Sequence, residues 1–156
     1  AINLIKNMMR GSQPGNNYIY GSHIFSLYDW GKDGGFQGLV GADGKRLVSY
    51  YAFRMGIRAL QGGRSTFLTS TSNADLTAIT TQDSSRNIYL LVANSGQKSY
   101  TLDTNLSKLM TKGTGTMWEF SSQVMDKIVS NPVLDNGHAI STIPAKAAIL
   151  IKFQKN

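Results

Sequence analysis

The sequence predicts an α/β segment followed by an all-β segment, and two observations carry that reading. Residues 1 to 60 run helix, strand, loop, helix, which is the order of an α/β unit. From "LQGGRST" at residues 60 to 66 onward the texture changes to short β-rich runs broken by Asn, Gly, Ser and Asp. Turn signals there recur roughly every 8 to 12 residues, the spacing of an antiparallel sandwich.

The elements follow in order. Residues 1 to 10, with Ile2, Leu4, Ile5, Met8 and Met9 apolar, read as the end of an amphipathic helix, and Gly11 and "QPGNN" stop it. "YIYGSHIFSLYDW" is apolar on nearly every position and suits a strand buried on both faces, as in a parallel sheet. Asp43 and Gly44 make a turn, and "KRLVSYYAFRMGIRAL" then shows helical spacing at Leu47, Tyr50, Tyr51, Arg54, Ile57, Arg58 and Leu60. Beyond it, "ADLTAITTQ", "RNIYLLVAN", "KSYTLD", "GTMWEFSSQV" and "GHAISTIPAKAAILIKF" read as strands, the last split by Pro144. Up to eight strands are expected after Leu60, and only the short "NLSKLM" keeps a helical rhythm.

Composition narrows the function. A hydrophobic content of 41% with 10% aromatics places the chain among globular proteins and away from disordered ones. The net charge is +7, yet the sixteen Lys and Arg are spread along the chain, with no basic cluster interleaved with aromatics, so no nucleic-acid partner is expected. No run of about 18 apolar residues occurs, so no membrane span is expected, and the opening residues lack a signal peptide's apolar core. With no cysteine, disulfides and thiolate chemistry are excluded. His23 and His138 are far apart, and "GKDGG" lacks the spacing of a phosphate-binding loop; neither a metal nor a cofactor is expected. One strand with two helices cannot close a sheet by itself. The remainder must come from an upstream segment or from another chain.

"SLYDW" followed by "GGFQGLVGADGKRLVSYYAF" resembles the last strand, loop and helix of the (β/α)8 barrel in retaining glycoside hydrolases of clan A, with a layout similar to family 39 and its relatives. A trailing sandwich that finishes in a phrase like "IPAKAAILIKF" is also common there. The resemblance covers residues 1 to 60 closely and residues 64 to 156 in architecture. It implies residues 1–62 as the C-terminal end of a TIM (β/α)8 barrel and residues 63–156 as an accessory antiparallel β-sandwich that buries the barrel's outer face. It also implies hydrolysis of O-glycosidic bonds in a poly- or oligosaccharide with retention, in an extracellular or periplasmic setting. Retention needs two carboxyl groups flanking the scissile bond. In this clan they end the fourth and seventh strands, upstream of Ala1, so no catalytic residue is assigned and the segment alone is expected to be inactive.

The resemblance places Trp30 at a strand end facing the substrate, where an indole can stack on a sugar ring; the alternative is that it caps the barrel core. Asp29 is expected either to bind a sugar hydroxyl or to hold the loop. Tyr28 and Lys32, with Asp33, line the cleft or are ordinary solvated loop residues. A second class of reading is a non-catalytic carbohydrate-binding sandwich with Trp118 and Tyr89 as its platform. A third is a structural sandwich with no ligand.

Overall fold

A computed structural model describes residues 2–11, 28–29, 38–61 and 63–155. Two helices, α1 (Ile2–Gly11) and α2 (Val48–Leu60), precede and flank a short parallel pair, β1 (Tyr28–Asp29) with β2 (Val40–Gly41). The remaining strands are β3 (Ser65–Phe67), β4 (Leu76–Gln82), β5 (Ile88–Asn94), β6 (Tyr100–Asn105), β7 (Gly113–Phe120), β8 (Met125–Ser130), β9 (Val133–Leu134), β10 (His138–Ile143) and β11 (Ala148–Gln154). Seven of them form one sheet in the order β3-β4-β5-β11-β7-β8, with β9 also on β7, and β10 pairs with β6 in a second sheet. All pairings in these two sheets are antiparallel. The architecture is an antiparallel sandwich after a final βα unit, the fold class that the sequence predicts.

Strand periodicity explains how the large sheet serves two cores. Successive side chains on a strand point to opposite faces. Toward the small sheet go Ala78, Leu90, Val92, Ile149, Ile151 and Phe153, which pack against Ala139 and Ile143 of β10. Toward the helices go Ile79, Leu91, Ala93, Ala148 and Leu150, which pack against Ile5 and Met9 of α1 and Ala52, Met55 and Ala59 of α2. Each fully buried Ile or Leu contributes roughly 1.5–3 kcal/mol by leaving water. Both faces of β5 and β11 are therefore apolar, which is why "IYLLVA" and "AILI" carry no polar alternation.

Four connections cross between the sheets, and one side chain ties two of them. Asn94, fully buried at the end of β5, donates from Nδ2 to the carbonyls of Lys98 (2.8 Å) and Pro144 (2.7 Å). Its Oδ1 accepts from the Gly96 amide at 2.9 Å. The β5–β6 and β10–β11 crossings thus share a polar anchor whose bonds are satisfied, as a buried amide requires. The expected "NLSKLM" rhythm is a single turn, with the Leu109 and Met110 amides both donating to the Leu106 carbonyl.

Helix α2 starts at Val48, three residues after the expected Lys45, because Lys45 to Leu47 run extended and Arg46 bridges Val40. Its buried stripe is Ala52, Met55, Gly56 and Ala59, while Ile57 is exposed. Small residues bring the helices close: a Cβ on Gly56 would lie 2.6 Å from Met8 Sδ. The expected boundary between residues 62 and 63 falls in the connection from α2 to β3. Among the described residues no helix is long and apolar enough to cross a membrane.

Candidate functional site

The candidate site begins where β1 ends. Tyr28 and Asp29 pair in parallel with Val40 and Gly41, so the strand end lies beside the returning limb of the βα loop. That limb is fastened to the start of α2. The Ser49 hydroxyl donates to the Gly38 carbonyl (2.5 Å), the Leu47 amide to Leu39 (2.9 Å), and the Gly41 amide to Lys45 (2.7 Å). Gly44 turns the chain with φ +77°, a left-handed conformation that glycine adopts at little cost. Asp43 closes the turn by accepting from the Lys45 amide at 3.0 Å and pairing with the Lys45 ammonium at 2.8 Å. The Lys45 side chain and amide hold the Asp43 carboxyl below the usual carboxylate range. The predicted turn at Asp43 and Gly44 is thus a lock that fixes the loop's exit.

Of the four expected substrate-contacting residues, Tyr28 and Asp29 belong to β1. Trp30 and Lys32 lie outside the described residues, as do Gly31, Asp33, Gly34, Gly35 and His23.

Five aspartates elsewhere are engaged in structural bonds. Asp75 accepts from the Tyr100 hydroxyl (2.6 Å), Asp103 from His138 Nδ1 (3.0 Å), and Asp135 from the Asn136 amide (3.3 Å). Asp83 accepts from the Asn87 backbone and side-chain amides, both at 2.9 Å, and from the Tyr89 hydroxyl at 3.0 Å. Burial raises the Asp83 pKa, but these hydrogen bonds outweigh it and leave the group below its ordinary value. Tyr89 is pushed above its ordinary range, first by burial and then by its bond to Asp83. Among the described residues no group of three or more His, Cys, Asp or Glu converges on one point.

Asp126 is the arrangement that sequence reasoning missed. Its carboxylate is fully buried, and it meets Arg54 Nε through Oδ2 and Arg58 Nη1 through Oδ1 at 2.6 Å. The two arginines stand four residues apart on one side of α2 and so reach a single carboxylate. That spacing is the signal available in the sequence, but the partner lies 68 and 72 residues further on.

The proposed aromatic platform is not an open pair of rings. The Arg64 guanidinium lies 3.5 Å from the Tyr89 ring centre, and that of Arg58 lies 5.2 Å from Trp118. Tyr89 is also 9% exposed and belongs to the core beneath the helices. An open groove of about 730 Å³ runs between β6 and the β3–β4–β5 edge, with Leu76, Ala78, Leu90 and Leu102 along its floor and wall and Thr69 and Thr104 at its rim.

No protein-family model matches the sequence, and no curated protein matches it significantly. Solved structures do match in fold. A glycoside hydrolase family 30 subfamily 8 xylanase from Clostridium acetobutylicum superposes with a TM-score of 0.80 at 16% identity, over 99% of this chain and 38% of that one. A GH30 endoxylanase from Clostridium papyrosolvens gives 0.76 at 15% identity, over 99% and 39%. A family 44 xyloglucanase from Paenibacillus polymyxa gives 0.56 at 18% identity, over 68% and 23%. The chain spans less than two fifths of the length of the xylanases it matches. The resemblance to the C-terminal region of clan-A glycoside hydrolases holds at the level of fold.

Proposed function

We propose that this chain is the C-terminal portion of a retaining glycoside hydrolase acting on a β-linked plant polysaccharide, with xylan as the first substrate to test. One observation carries the reading: 99% of the chain superposes on GH30 xylanases while occupying under two fifths of them. The engagement of Asp75, Asp83, Asp103 and Asp126 in structural bonds supports placing both catalytic carboxylates upstream of Ala1. In this proposal Trp30 stacks on the sugar ring, Asp29 binds a hydroxyl, and Tyr28 and Lys32 line the cleft. The sandwich braces the last barrel helices through their shared core, in an enzyme working outside the cytoplasm.

The test compares the 156-residue chain with a version extended upstream through a complete barrel. The extended enzyme is expected to hydrolyse xylan with retained anomeric configuration by ¹H NMR, and the 156-residue chain to show no turnover. Trp30→Ala in the extended enzyme is expected to lower kcat/KM about tenfold, equivalent to ~1.4 kcal/mol of transition-state binding. Turnover by the short chain, or none by the extended one on any β-xylan or β-glucan, would overturn the proposal.

A further inference from the structure

We propose that Asn105 is an acceptor for an N-linked glycan in a chain that enters a glycosylating secretory compartment. Asn105-Leu106-Ser107 is the one place in the sequence where an asparagine is followed two positions later by serine or threonine without an intervening proline. That pattern is the recognition element of N-glycosylation, and it requires a surface position.

The folded structure supplies the surface position. Asn105 ends β6 with its side chain exposed, on the same side of the strand as exposed Thr101 and Asp103. The alternate residues Tyr100 and Leu102 pack inward, so a bulky group on Asn105 projects away from the core. The carboxamide is also oriented. Its Oδ1 accepts from the Ser107 amide at 3.1 Å and from the Ser107 hydroxyl at 2.8 Å, which couples the two side chains that the modifying enzyme must read together. Its Nδ2, the atom that carries a glycan, makes no hydrogen bond among the described residues. Buried Leu106 between them, with its amide donating to Gly137 at 2.7 Å, fixes the turn.

The co-substrate is a polyprenyl-diphosphate-linked oligosaccharide. Nδ2 attacks the first sugar's anomeric carbon, the bond from that carbon to the diphosphate oxygen breaks, a carbon–nitrogen bond forms, and Nδ2 gives up one proton as the lipid diphosphate leaves. The group is transferred without oxidation or reduction.

The 156-residue chain, behind a cleavable secretory leader, is to be translated in the presence of endoplasmic-reticulum microsomes. The protease-protected product is expected to carry one glycan that an Asn-glycan amidase removes. Asn105→Gln and Ser107→Ala are expected to lose it, and Ser107→Thr to keep it. A protected wild-type chain without a glycan, or a glycan that persists in Asn105→Gln, would overturn the assignment. As a second measurement, the purified glycosylated chain is expected to melt at the same temperature before and after glycan removal. A glycosylated chain that fails to fold would overturn the solvent-facing placement.

Discussion

Asp126 shows how one residue can fix the relation between a helix and a sheet. Its backbone has φ +54°, a left-handed conformation that aspartate and asparagine tolerate better than most residues. From there its buried carboxylate reaches two arginines that are each about one third exposed. Asp126→Asn keeps the backbone preference and the volume but removes the charge, leaving two cations against a neutral amide. The expected loss is about 2–3 kcal/mol in urea unfolding, below that of a fully buried pair because the arginines reach water. An unchanged midpoint would show that the pair adds nothing.

The Tyr89–Asp83 bond makes stability depend on pH at both ends. The Tyr89 pKa is raised, so its contribution is complete below about pH 10 and is lost as pH rises through the folded value. The Asp83 pKa is lowered, so its contribution is present above the ordinary carboxylate range and is lost as pH falls through the folded value. Tyr89→Phe is expected to remove the alkaline loss and to shrink the acid one. Melting temperatures measured across the pH range check this, and an alkaline loss that persists in the variant would place its source elsewhere.

Among the elements, most strands were legible from sequence, because one-sided burial writes a period-two pattern into β6 and β10 and two-sided burial a continuous apolar run into β5 and β11. Three were not singled out. β3 and β9 are too short to show a period. β8 carries exposed Ile128 and Val129 side by side, has a left-handed residue at Asp126, and is bulged against β7. Helix α2 was legible as a helix, but its large residues drew attention from the face that packs. That face uses small side chains so that α1 and the sheet can approach. Ala52→Leu adds volume there and is expected to cost about 1–3 kcal/mol by overpacking, read as a fall in melting temperature. Neutral behaviour would mean the helices can separate without loss. The candidate site was legible only through its resemblance to a family, since no pair of acids within the chain announces glycosidase chemistry by spacing.

At the scale of the molecule, the large sheet has no free face over its centre. Deleting residues 1 to 61 would uncover Ile79, Leu91, Phe120 and Leu150 together, a contiguous apolar surface of the kind that drives association. The isolated sandwich is expected to bind a hydrophobic dye and to aggregate. A monomeric, dye-negative sandwich would show that it does not need the helices.

The position of β11 sets an order on synthesis. Ala148 to Gln154, the last strand of the sheet in chain order, lies between β5 and β7, so the middle of the sheet is the last part of it to leave the ribosome. Until Ala148 to Gln154 emerge, β4–β5 and β7–β8 are two separate ribbons with nothing between them. A nascent chain interrupted before that point holds most of the apolar residues and none of the pairing that joins them. Gln154 must therefore emerge before the sheet can close, and a product truncated ahead of β11 is left open to chaperones and proteases.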